Sequence, residues 1–337
     1  GNQSHLGKDL ENGTRLAIEE ANAKGVTIGG KKIKFELIGE DDQADPRTGT
    51  TVAQRLVDAG VKGVIGHLNS GTSIPASRIY DQAGIPQVSP ASTNPKLTLQ
   101  NFSGVFRTIA NDVQQGTGLG KYATGALGAK RVAIIDDRTA YGQGLADETA
   151  KAVKESGGEV VAREFTTDKA TDFNAILTKI RATNPEVVFY GGMDAQAGPM
   201  VRQMKQLGIT AKFLTGDGGC SPEMIKLAGD GMSSSAYCSM PGLPLEKMPG
   251  GADFRERYKK RFNADVQVYS PYAYDAAMAI ITAMQKADSV EPSKYLPELR
   301  NSNFPGVIGN VAFDANGDIK EGAVTIYNFK DGAWVPL

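Results

Sequence analysis

Two short loops carry the residue types that hold a small anion. The first, Gly66-His67-Leu68-Asn69-Ser70-Gly71-Thr72-Ser73, follows the apolar run Val61-Lys62-Gly63-Val64-Ile65 and leads into a helical pattern. The second, Ser89-Pro90-Ala91-Ser92-Thr93-Asn94-Pro95, follows Ile85-Pro86-Gln87-Val88. Small hydroxyl side chains at the carboxyl end of a strand, beside a helix N-terminus, suit a carboxylate. The first-turn N–H groups there lack helical partners, and the helix dipole favours negative charge. The same residues have a plainer use. Ser70 and Ser73 can cap a helix, and Thr93 can belong to a turn before Pro95.

The elements that must position these loops alternate along the chain. Helical patterns cover about 7–23 and 48–59, flanking a strand at 32–39 with Ile33, Phe35 and Leu37 on one face. Strands at 61–66, 85–89 and 105–110 follow, with a helix at 73–83 between the first two. A helix at 112–127 leads into a strand at 131–136. Beyond it, helices at 141–156, 173–182 and 197–207 alternate with strands at 159–165, 186–191 and 211–215. Repeated strand-helix order predicts an α/β fold with parallel sheets covered by helices on both faces. Several strands end in polar or glycine-rich turns, such as Asp136-Asp137-Arg138 and Gly216-Asp217-Gly218-Gly219, and open parallel sheets bind ligands at that end. The Pro- and Gly-rich stretch 241–251 reads as a linker or lid. Helices at 252–262, 272–287 and 292–299 follow it, and 323–335 reads as a hairpin turning at Asp331-Gly332.

At 337 residues the chain suits two domains. Its net charge is −1, with no basic stripe for nucleic acid, and no apolar run approaches a membrane span. The only histidines are His5 and His67, so a Ser-His-Asp relay has few options, and His67 reads as a satisfied strand-end residue. No metal-ligand spacing and no G-x-S-x-G elbow is present. The run Gly116-Thr117-Gly118-Leu119-Gly120-Lys121 lies within a helical stretch and fits no phosphate loop. The two cysteines, Cys220 and Cys238, are either buried thiols or, in an oxidising compartment, a disulfide closing a short loop.

Read in order, several motifs resemble one family. They are Gly39-Glu40-Asp41-Asp42 with Asp45-Pro46, Val64-Ile65-Gly66-His67-Leu68 with Ser70, and Ser89-Pro90-Ala91 with Thr93-Asn94-Pro95. Arg138 with Tyr141-Gly142, Phe189-Tyr190-Gly191-Gly192, and Phe313-Asp314 with Gly317-Asp318 complete the set. Over nearly its whole length the chain is similar to the periplasmic branched-chain amino-acid binding proteins of ABC importers, the Leu/Ile/Val-binding family. The resemblance implies a type I periplasmic binding fold: two Rossmann-like lobes with parallel central sheets, joined by a three-segment hinge that closes around the ligand. It places lobe 1 at 1–111 and 243–314 and lobe 2 at 112–242 and 315–337, with crossings near 110–112, 239–242 and 313–319. It further implies a periplasmic monomer that delivers a free amino acid to a membrane permease, with no chemistry, no cofactor, no metal, no nucleic acid and no membrane insertion.

By the same resemblance, Ser70 and Thr93 meet the ligand's α-carboxylate, with Ser92 in the same loop. The Ala91 carbonyl and Asp217 meet the α-ammonium, and Tyr141 closes over the ligand. Leu6 stands where the family often has an aromatic residue and Met193 where it can carry a tyrosine. Asp112 either caps a helix or lines the cleft. A Cys220–Cys238 bridge would lie in the second lobe, whereas the family's better-known bridge lies in the first, where this chain has Ala44 and Asn69. The family also begins with a strand before residues 1–7, central in the first sheet. No signal peptide and no such strand is visible here, so the expectation is an upstream segment that supplies it; direct pairing of 32–39 with 61–66 would remove that need. Leucine-like side chains are favoured, with alanine, phenylalanine or an ω-amino acid as alternatives. An α/β enzyme and a sugar-repressor type of sensor are the competing classes, and the latter needs a DNA-reading headpiece that the chain does not show.

Overall fold

Near-continuous apolar runs such as Val132-Ala133-Ile134-Ile135 and Val187-Val188-Phe189-Tyr190 cannot present a polar face, so they must be central strands covered on both sides. The computed structural model, which describes residues 1–337, bears this out, with each of these side chains fully buried. The chain divides into two compact units, residues 1–110 with 243–322 and residues 111–242 with 323–337.

The second unit is built on a seven-stranded sheet. Across it the order is Ala333–Pro336, Thr325–Lys330, Ala236–Met240, Lys212–Thr215, Val187–Gly191, Arg131–Asp136, Glu159–Phe165. The five strands from Ala236–Met240 to Glu159–Phe165 run parallel. The sheet is mixed, however, because Thr325–Lys330 joins Ala236–Met240 antiparallel and turns back at Asp331-Gly332 into Ala333–Pro336. Both turn residues have positive φ, 51° and 81°, the geometry that an Asp-Gly turn favours. Ile135, Val188, Met200, Phe213 and Met224 share one core on this unit. Cys220 and Cys238 are bonded, with Cα atoms 5.3 Å apart.

The first unit has a parallel sheet of three short strands, Val64–Ile65, Gln87–Ser89 and Val105–Arg107, in that order. Helices Ser4–Lys24 and Ser270–Ala287 pack together over a core that includes Val88, Phe106, Ile280, Met284 and Phe313. The first helix runs Ser4–Lys24, beginning three residues ahead of the expected 7–23 pattern. The expected strand at 32–39 is not formed. Only Lys31–Ile33 pairs, as a hairpin with Val26–Ile28, and residues 34–42 lie outside any ladder. No strand pairing joins them to Val64–Ile65.

The third passage between the units falls after Gly322 rather than within 313–319. Residues 315–322 stay with the first unit because Phe313 bridges Ile319, Gly317 accepts the Arg107 N–H, and the Asp318 carboxylate binds the buried Arg107 guanidinium at 2.6 Å. Asn111 falls with the second unit, where it caps helix Asp112–Thr124. No helix is long and apolar enough to cross a membrane.

Candidate ligand site

Each unit presents a cluster of polar groups at the carboxyl ends of its strands. In the first unit the cluster is the pair of loops after Val64–Ile65 and Gln87–Ser89. Asn69 is the N-cap residue of helix Ser70–Gln82, but no side chain caps that terminus. Thr72 and Ser73 donate their N–H groups to the Asn69 carbonyl, and the Ser70 and Gly71 amides ahead of them are those an anion could use. Ser70 is the first helical residue rather than the cap, and its Oγ accepts the Asn94 N–H at 3.1 Å. Ser73 is no cap either. Its hydroxyl lies 2.6 Å from that of Ser92 and accepts the His67 N–H. Thr93 is fully buried, and its Oγ1 has no partner in the protein. A buried hydroxyl left unmatched costs about 1–3 kcal/mol, so this one marks a place for an outside group.

Ser92 departs from its expected ligand contact. Its hydroxyl bonds the Leu68 carbonyl and Ser73, its N–H donates to Ser89 Oγ, and its carbonyl accepts from Arg107 Nη1. All its polar groups are spent on holding the two loops together. Ala91 is buried, and its N–H points to Ser89 Oγ. Leu6 is buried in the first helix. His67 is satisfied on both ring nitrogens, by Asp42 at 2.9 Å and the Tyr80 hydroxyl at 2.8 Å. Burial alone would raise the Asp42 carboxyl, yet it lies below the usual carboxylate range because the His67 hydrogen bond and charge outweigh that penalty.

In the second unit the cluster centres on Asp217, which follows strand Lys212–Thr215 and is buried. Its Oδ1 receives the Tyr141 hydroxyl at 2.8 Å and Gln115 Nε2 at 3.0 Å. Gln115 Nε2 also donates to Asp112 Oδ1, while its Oε1 accepts from the Asp217 N–H and the Ser239 hydroxyl. Asp112 is thus the first helical residue, tied inward through Gln115, while Asn111 does the capping. Tyr141 enters from the start of helix Ala140–Glu155, whose cap Thr139 accepts the Gly142 N–H, and its hydroxyl accepts the Gly218 N–H at 3.0 Å. The backbone comes this close only because residue 218 is glycine: a Cβ there would lie 2.9 Å from the Tyr141 ring and 2.8 Å from Met193 Sδ. Met193 is buried ahead of helix Asp194–Gln206.

The structure thus groups Ser70, Ala91, Ser92 and Thr93 in one cluster and Asp112, Tyr141, Met193 and Asp217 in the other. Two organising residues went unnoticed in the sequence. Gln115 hid inside a glycine-rich helical stretch. Arg107, fully buried inside the expected 105–110 strand, ties the 89–98 loop to Asp318 through Ser92 and Thr98. A charged residue amid Val105, Phe106 and Ile109 was the one available signal.

Comparison with known proteins now bears on what these clusters serve. The family model described as periplasmic binding protein matches residues 1–333. The chain belongs to the periplasmic binding proteins. An amino acid binding protein of Pseudomonas aeruginosa is 36% identical over 332 residues, covering 98% of this chain and 88% of that protein. A Leu/Ile/Val-binding protein homolog of Brucella abortus is 35% identical over 334 residues, 99% of this chain and 88% of its own length. Among solved structures, the branched-chain amino acid transporter substrate-binding protein LivJ of Streptococcus pneumoniae, in complex with isoleucine, superposes with a TM-score of 0.87. It is 26% identical and covers 98% of this chain and 94% of that one. The type I periplasmic fold that these binding proteins share accounts for both sheets described above.

Proposed function

We propose that this periplasmic binding protein captures a free aliphatic α-amino acid and hands it to the membrane permease of an ABC importer. The observation that carries the reading is the Thr93 hydroxyl, buried and unmatched beside an uncapped helix N-terminus. A carboxylate supplies what both lack. Asp217, braced by Tyr141 and Gln115, supplies the opposite charge for an ammonium. The reading assigns the ligand's carboxylate to Ser70 and Thr93 and its ammonium to Asp217 and the Ala91 carbonyl. Leu6 and Met193 are the apolar candidates for its side chain. What the relatives are named for favours leucine, isoleucine and valine over other amino acids.

The magnitudes are adequate. Charge-assisted hydrogen bonds contribute about 1.5–3 kcal/mol each, and burying an aliphatic side chain adds about 1.5–3 kcal/mol. After association costs, micromolar binding near −8 kcal/mol follows. The role is binding without chemical conversion, carried out as a monomer in the periplasm.

A thermal-shift panel over the free amino acids tests the reading. A ligand present at about a thousand times its Kd stabilises the folded form by about 4 kcal/mol through mass action. Leucine, isoleucine and valine are expected to raise the midpoint most. A panel in which no amino acid moves it would overturn the proposal.

A further inference from the structure

Asp217 sits in an intrinsically loose piece of chain. Glycine stands on both sides of it, at 216, 218 and 219. Close packing requires this. A Cβ at 216 would lie 2.8 Å from the Tyr141 hydroxyl, and one at 219 would lie 2.6 Å from Thr215 Cγ2. The same glycines give the turn more conformational freedom than other residues would. Within the turn only two backbone bonds oppose that freedom. The Gly219 N–H donates to the Gly216 carbonyl at 3.1 Å, and the Cys220 N–H to the Asp217 carbonyl at 3.0 Å. Holding the carboxylate in one place therefore falls to groups outside the turn.

Besides Tyr141, two fastenings do this, and both lead to strand Ala236–Met240. The first is covalent. Cys220, directly after the turn, is bonded to Cys238, which is fully buried and paired on both sides, with Thr215 and with Tyr327. The second runs through side chains. Ser239 Oγ donates to Gln115 Oε1 at 2.7 Å, and the same oxygen accepts the Asp217 N–H at 3.1 Å. Successive side chains of a strand point to opposite faces, so Cys238 and Ser239 hold the turn from two sides. We propose that the Cys220–Cys238 bridge is a positioning device for the ammonium end of the site, keeping the Asp217 carboxylate where a ligand's ammonium meets it. This rests on the reading of Asp217 given above. The bridge then sets affinity as well as stability. With it open, the glycine turn samples other conformations, and apparent affinity falls with the fraction of molecules whose carboxylate is in place. Contacts that do not act through Asp217 are left as they were.

The test is a mutant cycle on leucine binding. Calorimetry compares four proteins: the parent, the pair Cys220→Ala with Cys238→Ala, Asp217→Asn, and all three substitutions together. Opening the bridge is expected to raise the leucine Kd about 10-fold in the parent but less than about 2-fold in the Asp217→Asn background, where no charge is left to place. A bridge that only stabilised the fold would act alike in both backgrounds. If the alanine pair does not fold, the parent and Asp217→Asn proteins refolded in a phosphine reductant give the same comparison. Equal factors in the two backgrounds, or an unchanged Kd when the parent loses its bridge, would overturn the proposal. A parent that binds no leucine with its bridge intact would overturn the proposed function itself, and this proposal with it.

Discussion

Asp217→Asn removes a charge while keeping the shape of the second cluster. Asn keeps an oxygen that can accept from Tyr141 and Gln115, now 2.8 and 3.0 Å from Asp217 Oδ1. The fold should therefore lose little. Binding should lose much, because a bond from an ammonium to a carboxylate contributes about 1.5–3 kcal/mol and its neutral counterpart about 0.5–1.5. The lost attraction between opposite charges in a buried setting adds to that difference, since Asp217 is only 3% exposed. Together they amount to about 2–3 kcal/mol, a 30- to 150-fold rise in the leucine Kd. Isothermal calorimetry measures this directly, and a second ligand makes it specific. 4-Methylpentanoate has leucine's carboxylate and side chain but no ammonium, so its affinity should be nearly unchanged by the substitution. If Asp217→Asn left the leucine Kd within threefold of the parent, or weakened both ligands equally, the pairing of Asp217 with an ammonium would be wrong.

Further outcomes follow from single observations. Thr93→Val removes a buried hydroxyl that has no partner, so the unliganded protein should keep or gain up to about 1 kcal/mol while leucine binding weakens 10-fold or more; an unchanged Kd would refute the contact. Replacing Cys220 and Cys238 by serine frees a loop spanned by 18 positions, which costs about 3 kcal/mol in the chain-entropy account and should lower the midpoint by roughly 8 °C. No change in a differential scan would show that the bridge does not constrain the unfolded chain. Burial pushes the Asp275 carboxyl up to about 7, against the opposing N–H bonds of Val307 and Ile308. The folded state then holds a proton that the unfolded chain releases near pH 4. The stability this group carries is complete below that point and is lost as pH rises toward 7. Asp275→Asn should flatten the pH dependence of urea unfolding across this window, and matching slopes for parent and variant would contradict the assignment.

Much of the second unit was legible because its strands are long and apolar, and periodicity reports that directly. The Asp331-Gly332 hairpin was equally readable from turn chemistry. What periodicity cannot report is direction, so the antiparallel pairing of Thr325–Lys330 that makes the sheet mixed did not show. Residues 32–39 have the alternation of a strand, yet alternation creates no ladder without a neighbour, and only Lys31–Ile33 finds one, in Val26–Ile28. In the site, residue types near strand ends pointed to Ser70, Thr93 and Asp217. They could not separate a hydroxyl facing outward from one turned inward. Thr93 and Ser92 are adjacent and chemically alike, but Ser92 is consumed by Leu68 and Ser73, while Thr93 Oγ1 is left unmatched. Gln115 and Arg107 work through partners more than a hundred positions away, at Asp217 and Asp318, which no local pattern encodes.

A crystal structure of the protein grown with isoleucine tests the central claim most directly. The account predicts one bound molecule. Its carboxylate should lie within about 3.2 Å of Thr93 Oγ1 and the first amides of helix Ser70–Gln82, and its ammonium within the same distance of the Asp217 carboxylate. An isoleucine bound with those ends reversed, or bound away from Thr93 and Asp217, would contradict it.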